Sequence, residues 1–283
     1  MKDINFISAC SDLGVHVCGS EKGPTLLTTK FNIKNYILEK DNIEKSLDPE
    51  DLRKNEKYIN NFTKKVFDTA LTILNDNKTP LLIGGDHSTV IGSALASQKY
   101  HNNIGIIWVD AHGDYNTFET TKSGNIHGLP LASITGYKCE ELTNFITNNF
   151  INSKNSVVVG ARSIDPWEIG NMVDAGVTIF TTEDVKNEGA DKIMKKAIEI
   201  ATNNTNGVHI SLDLDVIDPI IAPGVSIPED NGISDTEMYL IVDEMLKHKD
   251  LVKSIDLVEL NPTLDIDNKT KDIALNILNK LTK

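Results

Sequence analysis

Three short motifs place carboxylate and imidazole side chains directly after apolar runs of the sequence. They occupy Gly84–Ser88, Asp110–Asp114 and Ser211–Asp215, and they read GGDHS, DAHGD and SLDLD. No Lys or Arg lies within them, so their carboxylates have no cationic partner in the same motif. Clustered carboxylates repel one another unless cations neutralise them. The motifs therefore predict a site for divalent metal ions.

The side chains of these motifs indicate two ions rather than one. The candidate ligands are two imidazoles and four carboxylates, from His87, Asp110, His112, Asp114, Asp213 and Asp215. Four negative charges balance two divalent ions, whereas a single ion would be overcharged. Oxygen-rich ligation with some imidazole suits Mn²⁺, with Fe²⁺, Co²⁺, Ni²⁺ or Zn²⁺ as substitutes. Because a two-metal site lowers the pKa of bound water, hydrolysis is favoured over redox chemistry.

The elements that carry the motifs belong to a predicted α/β fold. Strand-like runs alternate with helical segments whose apolar residues recur three or four positions apart. The runs are Ile4–Ala9, Leu81–Ile83, Ile104–Val109, Val157–Val159, Val177–Phe180, Val208–Asp213 and Ile255–Glu259. This alternation predicts a mostly parallel sheet covered on both faces, in a single domain over residues 1–283. Ligands bind beyond the carboxyl ends of such strands, which is where the motifs lie.

Three local features refine this interpretation. Pro49 is predicted to start a helix that Asp48 caps. If the strand before the third motif continues, a period of two places Asp213 and Asp215 on one face. The segment Pro219–Asn231 contains three prolines and one glycine directly after that strand, which predicts an active-site loop.

Composition and charge exclude several classes of protein. The chain has 283 residues, of which 40% are hydrophobic and 24% charged, as in soluble globular proteins. Its net charge of −13 argues against nucleic-acid and anionic-membrane partners. The sequence shows neither a signal peptide nor an apolar stretch near the roughly 20 residues of a membrane span. Three widely spaced cysteines argue against a disulfide scaffold, so we expect reduced thiols in a cytoplasmic protein.

The three motifs together resemble those of the ureohydrolase family, which includes arginases and agmatinases. GGDHS, DAHGDYN and SLDLDVIDP occur in the order of the family and with approximately its spacing. The resemblance extends from DLG and EKGP near residues 12–24 to VELNPTLDIDNKT near residues 258–270. It implies one three-layer α/β/α domain, a binuclear manganese site and assembly into trimers or hexamers. It also implies hydrolysis of a small cationic guanidino substrate to urea and an amine.

The resemblance assigns a role to each candidate ligand. His87 and Asp114 would bind one manganese ion, His112 and Asp215 the other, and Asp110 and Asp213 would bridge the pair. Asp114 would also orient the hydroxide that bridges the two ions and attacks the guanidinium carbon.

Two further residues correspond to the family's proton shuttle and guanidinium acceptor. His127, in SGNIHG, would protonate the leaving amine, a task that suits a reference pKa near 6.5. Glu259, in VELNP, would receive the guanidinium, because a carboxylate pairs with that planar cation through two hydrogen bonds. The other histidines, including His16, are interpreted as ordinary surface or core residues.

The stretch DAHGDYNTFETTKSGNIHGLPLA resembles the arginase branch in particular. Asn116 and Ser123 would hold the substrate's α-carboxylate, and Asp165, with Glu168 nearby, would contact its α-ammonium. Because agmatine lacks the carboxylate, these residues favour hydrolysis of L-arginine to L-ornithine and urea.

The sequence departs from the family at one place and leaves alternatives open. Ser226-Ile227-Pro228 stands where the family usually has glycine-threonine-proline, so a hydroxyl is lost near the substrate. This change is compatible with weak arginine binding or with another guanidino substrate, as in agmatinase. A non-catalytic metal-dependent guanidino binder and a metallophosphoesterase are more distant alternatives, the latter because DAHGD contains D-x-H.

Overall fold

One parallel sheet forms the centre of the protein. The structure, a computed structural model, describes residues 3–283. Its strands are β1 (Ile4–Cys10), β2 (Asn35–Glu39), β3 (Thr79–Gly84), β4 (Gly105–Val109), β5 (Ser156–Ala161), β6 (Thr178–Thr181), β7 (Val208–Asp213) and β8 (Val252–Val258). Their order across the sheet is β2-β1-β3-β8-β7-β4-β5-β6, and each neighbouring pair is parallel. Strands β3, β4, β5 and β7 are buried along their whole length, as expected for a sheet covered on both faces.

Helices cover both faces of this sheet. They are α1 (Gly23–Thr28), α2 (Glu56–Asn75), α3 (Val90–His101), α4 (Pro130–Ile134), α5 (Pro166–Ala175), α6 (Thr182–Glu188), α7 (Ala190–Ala201), α8 (Asp235–Lys247) and α9 (Lys269–Leu281). One hydrophobic cluster joins the sheet to α1 and α6–α9, and a second joins it to α2–α5. The expected three-layer α/β/α architecture is therefore confirmed, with a sheet that is parallel throughout.

Two sequence-based predictions about the elements are wrong or incomplete. The predicted helix does not start at Pro49 but at Glu56, where Asn55 precedes it with a left-handed φ of 63°. Asp48 instead accepts a hydrogen bond from the N–H of Glu50, 3.0 Å away, and so closes a turn. Strand β2 was missed because it lies at the edge of the sheet, where its half-exposed residues show no continuous apolar run.

The sheet order explains how the motifs meet. Strands β3, β8, β7 and β4 are neighbours, and a motif or candidate residue follows each of them: Gly84–Ser88, Glu259, Ser211–Asp215 and Asp110–Asp114. Strand β7 ends at Asp213, so Asp215 does not share a strand face with it as predicted. Asp213 Oδ1 instead accepts a hydrogen bond from the N–H of Asp215 (2.8 Å), which folds a 3₁₀ turn over Leu214–Val216.

Two further observations concern membrane spans and cysteine pairing. Across residues 3–283, no helix is both long and apolar enough to cross a membrane. The three cysteines are unpaired, with Cys10 and Cys139 buried and Cys18 exposed.

Candidate functional site

The first candidate cluster surrounds the imidazole of His87. Its Nδ1 lies 3.0 Å from Asp110 Oδ2, 3.2 Å from Asp114 Oδ2 and 2.8 Å from Asp213 Oδ2. All four side chains are buried. Residues at or after the carboxyl ends of β3, β4 and β7 therefore converge on one point beyond the sheet.

The second cluster surrounds His112 and shares Asp110 with the first. His112 Nδ1 lies 3.3 Å from Asp110 Oδ1 and 3.1 Å from Asp215 Oδ2. The side chain of His112 is 20% exposed, whereas that of His87 is 1% exposed. The candidate ligands thus form two adjoining groups, each able to hold an ion, with the two oxygens of Asp110 facing different groups.

The donor atoms fit divalent metal ions. His87 Nδ1, Asp110 Oδ2 and Asp114 Oδ2 are buried without a hydrogen-bond partner among the described residues, which is costly for a polar atom. Adjacent octahedral ligands about 2.1 Å from an ion are about 3 Å apart. The separations of 3.0 and 3.2 Å between His87 Nδ1 and the two carboxylates match that spacing. The donor set therefore has the atoms and the spacing that a divalent metal centre requires.

The electrostatics of the cluster show the same need for cations. Burial raises the pKa of Asp213 well above its ordinary value, and the charges of Asp215 and Asp110 raise it further. Burial likewise raises the pKa of Asp215 to about 6. Burial lowers the pKa of His87, but its carboxylate partners outweigh that effect and hold it well above the usual value. Without metal, protons would neutralise this cluster, so metal binding is expected to release protons.

Nε2 of His87, which faces away from the carboxylates, has its own hydrogen-bond partner. His87 Nε2 lies 2.9 Å from Ser211 Oγ, and both side chains are fully buried. The ring also stacks on Trp108, with centroids 4.0 Å apart and planes 6° apart. These contacts fix the ring so that Nδ1 faces the carboxylates. Sequence reasoning gave Ser211 no role, although its alternation with Asp213 placed it on the same strand face.

We expect Ser211→Ala to weaken metal binding at the His87 cluster by about 10- to 100-fold, as is typical for loss of a hydrogen-bond partner behind a metal-binding histidine. Titration of the metal-free protein with Mn²⁺ measures this effect. Ser156→Ala is the matched control, because Ser156 is also buried on a strand and, within residues 3–283, its hydroxyl bonds to a backbone carbonyl alone, that of Asn152. A metal affinity of Ser211→Ala equal to that of the wild type would contradict the expected role.

His127 and Glu259 form a pair next to the clusters. His127 Nδ1 lies 3.0 Å from Glu259 Oε1, which also accepts a hydrogen bond from the N–H of His87 (2.8 Å). Glu259 Oε2 is buried and has no hydrogen-bond partner among the described residues. Burial lowers the pKa of His127, but its hydrogen bond with Glu259 outweighs this effect and raises the pKa above the ordinary value. The structure thus brings the predicted proton shuttle and guanidinium acceptor into direct contact.

The backbone is strained at two of these positions. Asp114 has a φ of 49° and Glu259 a φ of 68°, in the left-handed region that non-glycine residues rarely adopt. Such a conformation costs about 1–3 kcal/mol and persists where the surrounding structure fixes it. Strain at two candidate site residues supports a functional reason for their orientation.

A cavity of about 530 Å³ opens over the site. His112, Asp114 and His127 line it, and so do the predicted substrate-binding residues Asn116, Ser123, Asp165 and Glu168. The remaining candidate ligands and Glu259 are buried behind those residues. The cavity therefore connects the clusters with all four residues predicted to contact the outer end of a substrate.

These four residues differ in the hydrogen bonds that they already make within the protein. Asn116 Nδ2 donates to Asp165 Oδ2 across 3.3 Å, so the two residues predicted for opposite substrate groups contact each other. Glu168 accepts hydrogen bonds from the N–H groups of Tyr115 (2.7 Å) and Asp165 (3.1 Å), one on each carboxylate oxygen. Burial raises the pKa of Glu168 to about 8. Glu168 therefore caps α5 and orders the cavity wall, which the sequence did not indicate.

Other residues of the cavity wall were not assigned to the site from the sequence. His16 lines the cavity and bonds through Nδ1 to Asn125 Nδ2 at 2.9 Å, so it is a hydrogen-bonded residue of the cavity wall. Ile227 and Glu229, from the predicted active-site loop, also line the cavity, as does Arg162. The proline and glycine content of that loop was the signal for its position, whereas His16 had no signal within its own segment.

Comparison with known proteins identifies the family of the chain. A model of the arginase family matches residues 2–282. The chain belongs to the arginase family. The arginase of Bacillus subtilis (strain 168) is 36% identical over 293 residues, which cover 99% of this chain and 97% of that protein. The arginase of Staphylococcus aureus (strain MSSA476) is 34% identical over 294 residues, which cover 98% of this chain and 96% of that protein.

A solved arginase structure shares the fold. The crystal structure of Entamoeba histolytica arginase in complex with L-ornithine superposes with a TM-score of 0.91 at 29% identity, covering 99% of this chain and 98% of that chain. Membership of the arginase family confirms the expected relationship to the ureohydrolases and to their arginase branch. It also confirms the expected enzyme class, a hydrolase that acts on a guanidino C–N bond.

Proposed function

We propose that the protein is a binuclear manganese arginase that hydrolyses L-arginine to L-ornithine and urea. The observation that carries the proposal is the pair of His/Asp clusters that share Asp110, set behind a cavity lined by Asn116, Ser123 and Asp165. The Entamoeba histolytica relative, whose structure contains L-ornithine, supports this choice of substrate and product.

In this proposal the two clusters would hold two Mn²⁺ ions. His87 and Asp114 would bind one ion and His112 and Asp215 the other, while Asp110 and Asp213 would contribute to both. When bound, two divalent ions lower the pKa of a water and so supply a nucleophile at neutral pH. Asp114, which lines the cavity, is placed to accept a hydrogen bond from that nucleophile and to orient it toward the guanidinium carbon.

In this proposal Glu259 binds the guanidinium and His127 donates a proton to the leaving amine. Glu259 Oε2, which has no hydrogen-bond partner among the described residues, is the oxygen that accepts a guanidinium N–H. Because Glu259 Oε1 holds His127 at Nδ1, the opposite nitrogen, Nε2, is left to give a proton to the leaving amine. The raised pKa of His127 keeps that proton in place until the amine needs it.

In this proposal the outer cavity wall binds the α-carboxylate and the α-ammonium of the substrate. Asn116 and Ser123 offer amide and hydroxyl donors to the α-carboxylate, and Asp165 offers a carboxylate to the α-ammonium. The contact between Asn116 and Asp165 pre-positions both side chains before the substrate binds. Agmatine carries no α-carboxylate, so it gains nothing from the Asn116 and Ser123 donors.

One residue of the cavity favours a second candidate, agmatine or another guanidino compound. Ile227 lines the cavity at the position where the family usually has threonine, so no hydroxyl is present there. Loss of one hydrogen-bonding partner costs about 1–3 kcal/mol, which is roughly a 5- to 150-fold change in affinity. The change affects substrate preference rather than the ligand set.

Urea release from L-arginine and from agmatine after Mn²⁺ loading tests the proposal. We expect L-arginine to be the better substrate and Ser123→Ala to lower its kcat/KM by about 10- to 100-fold, because a hydrogen bond to a charged group is lost. The same variant should leave agmatine turnover unchanged, which makes agmatine the matched control. Urea from agmatine with none from L-arginine would replace the substrate assignment.

The more distant alternatives give different outcomes in the same assay. A metal-loaded protein that bound guanidino compounds but released no urea from any of them would be a non-catalytic binder. Hydrolysis of a chromogenic phosphate ester without urea release would indicate a metallophosphoesterase.

We also propose, from the resemblance described above, that residues 1–283 form one catalytic domain. On the same basis we propose that the chains assemble into trimers or hexamers in the cytoplasm. Sedimentation of the purified protein measures the size of the assembly.

A further inference from the structure

We infer that Glu229 positions the imidazole of His112 for metal binding, a role that rests on the proposed function of the two clusters. Nδ1 of His112 faces Asp110 and Asp215, while Nε2, on the opposite side of the ring, faces Glu229 Oε1 at 3.7 Å. An N–H at Nε2 pointing to a carboxylate leaves the Nδ1 lone pair to bind an ion. Glu229 would thereby select both the tautomer and the ring orientation of His112.

The two histidines, His87 and His112, have comparable surroundings. Each directs Nδ1 at the carboxylates and Nε2 at a separate partner, which is Ser211 for His87 and Glu229 for His112. The first partner is a buried neutral hydroxyl, whereas the second is an acid whose side chain is 34% exposed on the cavity wall. A carboxylate partner makes an imidazole a stronger donor than a hydroxyl does. The ion nearer to the cavity is therefore expected to depend on Glu229, and the inner ion on Ser211.

Arg162 holds the loop of Glu229 against the turn that carries Asp215. Its Nη2 donates to the carbonyl oxygens of Asp215 and Glu229, each at 2.8 Å. Its Nη1 donates to Val216 O at 2.9 Å, and its Nε donates to Asp230 O at 3.0 Å. One guanidinium therefore fixes the backbone of Glu229 relative to the backbone of a candidate metal ligand.

The remaining gap between Glu229 and His112 is small. A distance of 3.7 Å lies in the range of an ion pair and exceeds a normal N–H···O hydrogen bond by about 0.5 Å. The backbone of Glu229 is fixed and its side chain is partly exposed, so rotation of the side chain suffices to close this gap. Arg162 thus places the carboxylate, and the flexible side chain adapts to the ring once an ion orients it.

Titration of metal-free protein with Mn²⁺, with the unbound ion followed by electron paramagnetic resonance, tests the inference without any activity measurement. We expect Glu229→Val to lower the affinity for one ion by about 10- to 100-fold and to leave the other unchanged. Glu229→Gln, whose amide oxygen would accept an N–H from Nε2 in the same way once the side chain rotates, should recover most of the loss. Asp230→Asn is the matched control, because it removes the same charge from the same loop but not from the neighbourhood of His112.

Three results would overturn the inference: wild-type affinities in Glu229→Val, an equal loss at both ions, or an equal loss in Asp230→Asn. The last would mean that overall negative charge, rather than positioning of one ring, determines the affinity. If wild-type protein released no urea but showed the expected pattern of ion affinities, the proposed function would fail and the role of Glu229 would stand.

Discussion

Asp110→Asn is expected to abolish urea release and to lower bound manganese below the proposed two ions per chain. Asp110 is the one candidate ligand that belongs to both clusters, with Oδ2 facing His87 and Oδ1 facing His112. Asparagine keeps the size of the side chain but removes the charge and offers one oxygen in place of two. Because a metal centre contributes several kcal/mol to such a reaction, kcat should fall by roughly 100-fold or more.

Metal content by mass spectrometry and urea release measure the two effects of Asp110→Asn together. Asp218→Asn is the matched control, since it removes one charge from the segment after β7, and asparagine still accepts the hydrogen bond that Ile220 donates to the side chain. Asp213→Ala, which removes another ligand of the His87 cluster, should also abolish activity and lower the metal content below two. Normal manganese content and turnover in either ligand variant would refute the assignment of that residue.

His127→Asn is expected to keep both of the proposed ions and to lower kcat by roughly 10²- to 10⁴-fold. His127 belongs to neither cluster, so metal binding does not need it. Its removal deprives the leaving amine of a positioned proton donor, which is worth about that factor in general acid catalysis. The measurement is kcat for urea release at saturating substrate, with the metal content determined on the same sample.

The pH profile of kcat distinguishes a lost proton donor from a general disturbance. Wild type should show a fall in kcat on the alkaline side as His127 loses its proton, and His127→Asn should lack that fall. His248→Asn is the control, because His248 pairs with Glu244 (3.3 Å) at the end of α8 and lies outside the cavity wall. Unchanged turnover in His127→Asn would remove the residue from the mechanism.

The candidate ligands were predictable because their signal is local. Carboxylates and imidazoles that immediately follow a buried strand are costly unless a cation compensates them, and each motif showed this within five residues. The parallel sheet was predictable for the same reason, since the strands other than β2 contain short apolar runs. The edge strand β2 was missed because its residues are half-exposed, and the start of α2 was missed because it depends on the left-handed φ of Asn55.

The cavity wall was only partly predictable. The resemblance to ureohydrolases indicated Asn116, Ser123 and Asp165, and the structure places all three around the cavity. The resemblance does not indicate that the two oxygens of Glu168 accept hydrogen bonds from the N–H groups of Tyr115 and Asp165, or that Glu259 contacts His127. The contacts of Glu168 with Tyr115 and of Glu259 with His127 join residues that are far apart along the chain, and such contacts leave no mark in a short motif.

The sequence by itself determined the chemistry of the ligands, the charge balance that favours two divalent ions and the parallel α/β architecture. The tertiary structure decided that the clusters of His87 and His112 share Asp110. It also decided that Ser211 faces Nε2 of His87 and that Glu229 faces Nε2 of His112. The reason is the order of the strands: β3, β8, β7 and β4 lie side by side although they are far apart along the chain. Local patterns indicate which side chains each strand end carries. Only the packed sheet brings Nδ1 of His87 to 3.0 Å from Asp110 Oδ2 and 2.8 Å from Asp213 Oδ2.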